Sequence, residues 1–497
     1  MPKKMSTMLM ISIVCCFTAA TAMAQQKFTE FPIATGDDNT FGGGGAFDGT
    51  NFLFAIVGDS INQYNITAQF LSSDGNLYGP RISIGQTGSG PLVAFDGINY
   101  LIAWTDSFPM FAGGDTNGTG NIYGQFISTS GSLVGTTFTI ASSVNIKFGK
   151  GRGGLAFNDT TYLLTYLKGG NHIDYLYGQR INRSGNLIGS PIQISSNYAR
   201  EHAIAFDGIN YLVAWCECAH PDVDNDIFGQ FVSPSGTLVG ANILIDGGQY
   251  ASDNPLSMAF DGSRYLVAFH EQANTIDSSG WNILGRFVTT SGAIQDRFTV
   301  CDSTEGATGP SVAFDGANYL IAWIKMSDMA SWRVQVMGRF FNASSAPLGT
   351  AFSIFDTLGG KIPLGGVAYV DGQYLASATR VDTNFAGGDI YGTFIPKYSG
   401  VEGKPGSDML KVESLKLKTA GNIVRYQVPR SGVVSLKIFN LLGQEVRTLA
   451  NAFKSSGVYS SQWNTCDASN RKVSSGVYLI RLESEGRSAT AKMVVVR

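Results

Sequence analysis

The chain has 497 residues, 44% hydrophobic and only 15% charged, with 61 glycines, so it can bury its own cores and needs no disulfide scaffold. The net charge of −3 is unevenly shared: residues 401–497 hold fifteen Lys and Arg against seven Asp and Glu, a net of +8, which leaves −11 on residues 1–400. An acidic body of that kind argues against nucleic acid and anionic membranes as partners and favours cations or neutral molecules.

Lys3 and Lys4 precede an apolar run, Met8 to Ala20, and Ala22-Met23-Ala24 offers small side chains at a cleavage point. This predicts a signal peptide over 1–24 and a mature chain starting at Gln25. The run is too short to span a bilayer, and no later segment is long enough, so no membrane span is expected in the mature chain. Cleavage leaves Cys216, Cys218, Cys301 and Cys466.

Short apolar runs divided by Gly, Asn, Asp and Ser then continue to about residue 396, the pattern of an all-β protein. Within it Val93-Ala-Phe-Asp-Gly-Ile-Asn-Tyr-Leu-Ile-Ala-Trp104 recurs around Phe47, Phe95, Phe157, Phe206, Phe260, Phe314 and Tyr369, at spacings of 48, 62, 49, 54, 54 and 55 residues. Each copy except the last is followed by a full second unit that begins like Ile122-Tyr-Gly-Gln-Phe-Ile127, and the last, Ile390-Tyr-Gly-Thr-Phe-Ile395, stops short. Four strands per repeat are predicted, the first two joined by a tight Asp-Gly turn. Gly124, Gly178, Gly229, Gly285, Gly338 and Gly392 share one place in strand three, where glycine indicates a bulge or close approach. The seventh repeat lacks a fourth strand, while Phe28-Thr-Glu-Phe-Pro-Ile-Ala-Thr35 looks like one. The expectation is a seven-bladed β-propeller over 25–396, closed by the N-terminal strand. The repeats resemble the propeller-like repeats of large bacterial extracellular proteins, which implies fold and surface location and no activity.

The connections between strands two and three, and between blades, vary in length and content, and function usually lies on such loops. Blade three offers Lys150 and Arg152 there, and blade four offers Tyr198-Ala-Arg-Glu-His202; His172 and His220 come from the same blades. Arg200, His202 and Tyr198 are the residue types that hold and deprotonate an acidic sugar, with Glu201 placed to orient the histidine. Ordinary solvated loop residues are the other reading. Asp222-Val-Asp-Asn-Asp226 alternates carboxylates as a calcium loop does, so Asp222, Asp224 and Asp226 are candidate ligands, against a merely solvated acidic loop. Cys216-Glu-Cys-Ala-His220 invites a zinc reading without a fourth ligand; in an extended strand Cys216 and Cys218 stand about 6.7 Å apart, too far for an easy disulfide, and buried strand cysteines are expected. No nucleophile elbow, phosphate loop or dinucleotide fingerprint occurs.

Residues 397–410 read as a linker rich in Gly, Ser, Lys and Pro. Beyond it five strands are expected, at Asn422–Val428, Val433–Phe439, Gly457–Trp463, Gly476–Leu482 and Thr490–Val496, forming a small sandwich over 411–497. Ser431-Gly-Val-Val-Ser-Leu-Lys-Ile-Phe-Asn-Leu-Leu-Gly-Gln-Glu-Val446 and Ser475-Gly-Val-Tyr-Leu-Ile-Arg-Leu482 resemble the Ig-like C-terminal sorting domain of type IX secretion substrates, although Glu413-Ser-Leu-Lys-Leu-Lys418 replaces the usual Tyr-Pro-Asn-Pro. The resemblance implies the type IX secretion machinery as a partner and a secreted or cell-surface location. The functional expectation is a binding module for a glycan or a surface protein. The alternative is a polysaccharide lyase or hydrolase acting on an acidic glycan at blades three and four.

Overall fold

A computed structural model of the chain describes residues 28–495 except 36–40, 60–63, 107–118, 146–153, 171–172, 218–225, 248–255, 273–280, 303–305, 329–332, 359–363, 382–387, 399–415, 421–422, 429–431, 455–456, 470 and 485–486. The expected signal peptide, Lys150, Arg152, His172, Cys218, His220, Asp222, Asp224 and most of the expected linker lie outside the described residues. No helix among the described residues is long and apolar enough to cross a membrane.

The described residues are all-β. Up to Pro396 they form seven four-stranded antiparallel sheets, six of them made of four consecutive strands. The second is representative, with strands Ser89–Phe95, Asn99–Thr105, Thr119–Ser128 and Leu133–Asn145. The last combines Leu364–Val370, Gln373–Val381 and Gly388–Pro396 with the N-terminal strand Glu30–Ala34. First strands of successive sheets touch one another, and that of the last sheet also touches that of the first. Sheets packed in this way are the blades of a β-propeller.

The repeated motif explains how one blade holds the next. In the Asp-Gly turn, Asp96 Oδ1 accepts from the backbone N–H groups of Ile98 (2.8 Å) and Asn99 (2.7 Å), and Gly97 supplies the left-handed φ of 89°. Asp48, Asn158, Asp207, Asp261 and Asp315 cap their turns likewise. The following tyrosine is buried between two phenylalanines. Tyr265 lies 4.9 Å from Phe260 of its own blade and 6.0 Å from Phe231 of the preceding one. Its hydroxyl donates to the Asn210 carbonyl of the preceding blade at 3.2 Å. Tyr100, Tyr211 and Tyr374 make the same bond to Asn51, Thr161 and Asn318. Burial pushes these phenols well above their usual pKa, so they remain neutral donors.

Strand three carries the second set of constraints. A Cβ on Gly124 would fall 2.6 Å from Cζ of Phe138 in strand four, and one on Gly285 would fall 2.5 Å from Phe298. Beside that glycine, Gln125 Nε2 donates to the Phe126 (3.0 Å) and Val134 (3.1 Å) carbonyls and staples strand four. The N-terminal strand is held by the same devices: Phe31 covers Gly392, and Thr393 Oγ1 donates to the Thr29 carbonyl at 2.9 Å. Ile33, Phe47, Phe52, Phe54, Ile56, Leu375 and Ile390 form one core across the last and first blades.

The C-terminal residues form a sandwich of a three-stranded sheet (Lys416–Ala420, Ile423–Val428, Gly457–Gln462) and a four-stranded one (Glu445–Lys454, Gly432–Phe439, Gly476–Ser484, Arg487–Val495). Between them lie Val424, Tyr426, Leu436, Ile438, Trp463, Ile480 and Leu482. Lys416–Ala420 and Glu445–Lys454 were absent from the five strands read from sequence, because neither alternates apolar and polar residues cleanly.

Replacing Gly124 by Val should destabilise the protein by about 1–3 kcal/mol through overpacking against Phe138. Chemical denaturation should show the loss. Combining it with Phe138→Leu should cost less than the two separate effects added together, since the two groups compete for one space.

Candidate functional site

The end of the propeller opposite the Asp-Gly turns is where the first strands begin. In blade four, Ala199 faces Glu217 and His202 faces Trp215, so three steps on the first strand oppose two on the second. That is a β-bulge, and Arg200 and Glu201 occupy it. Blades one, two and six carry the same irregularity, between Gly42 and Gly45, Ser89 and Leu92, and Thr308 and Ser311. There the bulge holds Gly or Gly-Pro, as in Gly90-Pro91 and Gly309-Pro310. Blade four alone among these four fills it with an Arg–Glu pair.

Tyr198, just before the bulge, is half-buried and meets Tyr175 of blade three edge-on at 5.8 Å. The approach to it is fixed by bonds to carbonyls and carboxylates. Ser195 Oγ donates to the Asn197 carbonyl at 2.8 Å, and Asn197 Nδ2 donates to Glu217 Oε1 at 2.6 Å. On blade three, Tyr166 stacks on Tyr177 at 6.1 Å, and Lys168 Nζ lies 5.9 Å from the Tyr177 ring centroid. Tyr177 Oη donates to Gln193 Oε1 at 3.1 Å. These strands bring together a rim of half-buried tyrosines with a lysine and an arginine.

His202 is turned inward. It is 5% exposed, and its Nε2 lies 3.3 Å from the Thr165 carbonyl oxygen of blade three, over Gly154, which has no side chain to obstruct it. Burial drives its pKa down to about 4, against the opposing pull of the Thr165 and Arg200 carbonyls. Tyr198, Arg200, Glu201 and His202 are therefore neighbours in the chain with different surroundings: the first three are half-buried at the rim and the histidine lies in the contact between blades.

Asp226 is half-buried at the start of its strand, close to Gly247. Asp246, from the same blade, is paired with Arg286 of blade five at 2.6 Å. No group of three or more His, Cys, Asp or Glu suited to a metal occurs among the described residues. Cys216 is buried at the end of its strand. His270 is also buried, with Nδ1 at 2.7 Å from Thr308 Oγ1 and its ring edge-on to Trp281 at 4.4 Å. Tyr175, Tyr177, Lys168, Asn197 and Glu217 were not singled out from sequence. The available signal was the alternation in Tyr166-Leu-Lys168 and Tyr175-Leu-Tyr177, which puts those side chains on one face of adjacent strands.

His202 makes stability depend on pH. Its folded pKa of about 4 lies below the model-peptide value of 6.5, so the unfolded chain binds the proton more tightly. Its contribution is therefore complete above pH 6.5 and is lost as pH falls toward 4, a change of the order of 3 kcal/mol. Denaturation midpoints should fall across that window, and a His202→Gln variant should show a flatter profile.

Among solved structures, the chain is similar to the polysaccharide lyase Uly1, with TM-score 0.47, 10% identity, 75% of this chain covered and 100% of that one. It is also similar to an ulvan lyase of polysaccharide lyase family PL25, with TM-score 0.46, 8% identity, 73% and 96% coverage. The β-propeller domain of the Trilobed protease from Pyrococcus furiosus gives TM-score 0.40, 11% identity, 72% and 94% coverage. No curated protein matches. Residues 408–496 match the family described as the secretion system C-terminal sorting domain. The chain thus carries a type IX C-terminal sorting domain, and it is a secreted or cell-surface protein.

Proposed function

We propose that the chain is a closed seven-bladed propeller that binds a glycan at the variable-loop end of blades three and four, displayed outside the cell through its sorting domain. The reading of a closed ring is supported by Phe31 over Gly392 and by the core shared between the first and last blades. The single observation that carries the binding site is the bulge of blade four. A position that elsewhere holds Gly or Gly-Pro here holds Arg200 and Glu201, beside Tyr198 and Tyr175. Tyrosine faces suit the C–H faces of sugars, and arginine and lysine suit their hydroxyl and carboxylate oxygens.

Binding is favoured over lyase or hydrolase chemistry by the placement of His202. A general base must reach the proton it removes. This ring is buried between blades and turned toward a carbonyl, so it serves the packing of blades three and four.

A panel of neutral and acidic polysaccharides, scored for binding and for unsaturated product, tests the site. The expected result is binding without product, weakened about fivefold to tenfold by Tyr175→Ala and by Tyr198→Ala. Product that disappears in His202→Ala would overturn the reading in favour of a lyase. Separately, removal of residues 408–496 should hold the protein inside the cell envelope while the propeller still unfolds cooperatively in circular dichroism. Arrival of the truncated protein at the surface would count against the sorting role.

A further inference from the structure

The Asp-Gly turns lie at the opposite end of the propeller from the tyrosine rim, and that end is covered. Lys454 of the C-terminal sandwich pairs with Asp159 in the blade-three turn. The lysine is 5% exposed and lies 5.0 Å from the ring centroid of Tyr459, itself half-buried. Ser460 packs against the backbone of Gly208 in the blade-four turn, and Gln427 packs against Gly316 in the blade-six turn, so neither glycine has room for a Cβ. Arg425 acts electrostatically on Asp207. A cavity of about 320 Å³ remains between the two parts, lined by Phe47, Phe95, Phe157 and Asp159 on one side and by Lys454 and Tyr459 on the other.

These contacts reach the turns of blades three, four and six, and the cavity is lined by Phe47, Phe95 and Phe157, which end the first strands of blades one, two and three. The sandwich therefore sits over the centre, where first strands converge. The charges are complementary: residues 401–497, which include the sandwich, carry +8, and the turns carry Asp48, Asp96, Asp159, Asp207, Asp261 and Asp315. A lysine does not become buried beside a phenol ring without a carboxylate to pair with it. We propose that the sorting domain is a docked cap that closes the turn-face end of the propeller through ion pairs, leaving the variable-loop end as its open face. This does not depend on what the open face binds.

The test cuts the linker and asks whether the two parts stay together. A protease site placed within residues 401–410 of the full chain is cleaved, and the product is run on size exclusion. Co-elution is expected at about 50 mM salt and separation at about 1 M, because the contact is electrostatic. Lys454→Glu should separate the parts at low salt, and Asp159→Lys in the same chain should restore co-elution. Carbodiimide treatment of the uncut protein should yield an Asp159–Lys454 cross-linked peptide, a readout independent of any variant. Separation of the unsubstituted parts at low salt, failure of the reversed pair to restore co-elution, or absence of that peptide would each overturn the cap.

Discussion

In blades two, four, five and seven the junction depends on a tyrosine hydroxyl that crosses to the turn of the blade before it. The bond is useful only because its acceptor is fixed. The turn carbonyl is fixed because the preceding carboxylate, or Asn158 in blade three, holds two backbone N–H groups and a glycine or Asp159 takes the left-handed φ. Burying the ring between two phenylalanines provides the apolar stabilisation, and the hydroxyl then needs a partner that water no longer supplies. One short motif thus sets the turn, the packing and the junction with the neighbouring blade. Blade six varies it: Tyr319 donates to Asp261 Oδ2 at 2.8 Å instead of to a carbonyl. Burial alone would raise Asp261, but Ser263, Tyr319 and the Arg264 and Ser263 N–H groups outweigh it and leave the carboxyl below its usual value.

The glycine of strand three has a different task. It removes a Cβ so that an aromatic or branched side chain of strand four can lie flat on the backbone, and the neighbouring glutamine, arginine or threonine then ties strand four down. Because these are local pair rules, a strand from anywhere in the chain can satisfy them. Glu30–Ala34 does so for the last blade, more than 350 residues from Gly388–Pro396 in sequence.

The blade pattern was legible because each rule is carried by adjacent residues and repeated. Phe-Asp-Gly-x-Asn-Tyr shows its turn and its latch in six positions, and the strand-three glycine stands beside the residue that staples. The candidate site was legible only in part. Blade four stood out because its variable connection offers Tyr198, Arg200, Glu201 and His202 together, but sequence could not show that Arg200 and Glu201 enter a bulge. A bulge shifts register and changes which side chain points inward. For that reason Tyr198 stays at the rim while His202, four residues on, is taken into the contact with blade three. Tyr175 and Lys168 were missed for another reason: alternation places each on a face of its own strand, but their proximity arises from pairing between strands two and three. The sandwich strand Glu445–Lys454 shows the converse, where Val-Arg-Thr-Leu-Ala-Asn-Ala-Phe lacks a period of two and only pairing with Gly432–Phe439 makes it a strand.

The two ends of the propeller solve opposite problems. At the turn end the capping side chains Asp48, Asp96, Asn158, Asp207, Asp261 and Asp315 are committed to backbone N–H groups, so variation there would break the latch and the ends remain nearly constant. The loop end carries no such obligation, since the bulge needs only one extra residue and accepts glycine, proline or charge. Placing Arg200 and Glu201 there gives up the conformational ease of Gly-Pro, and neither residue belongs to the apolar core of blades three and four. A cost of that kind is retained where a side chain has something to meet. The separation also explains the charge distribution along the chain. The acidic turns form one face, the basic sandwich is the part of the molecule that complements it, and the loop end is left to the tyrosines and to the few cations that stand among them.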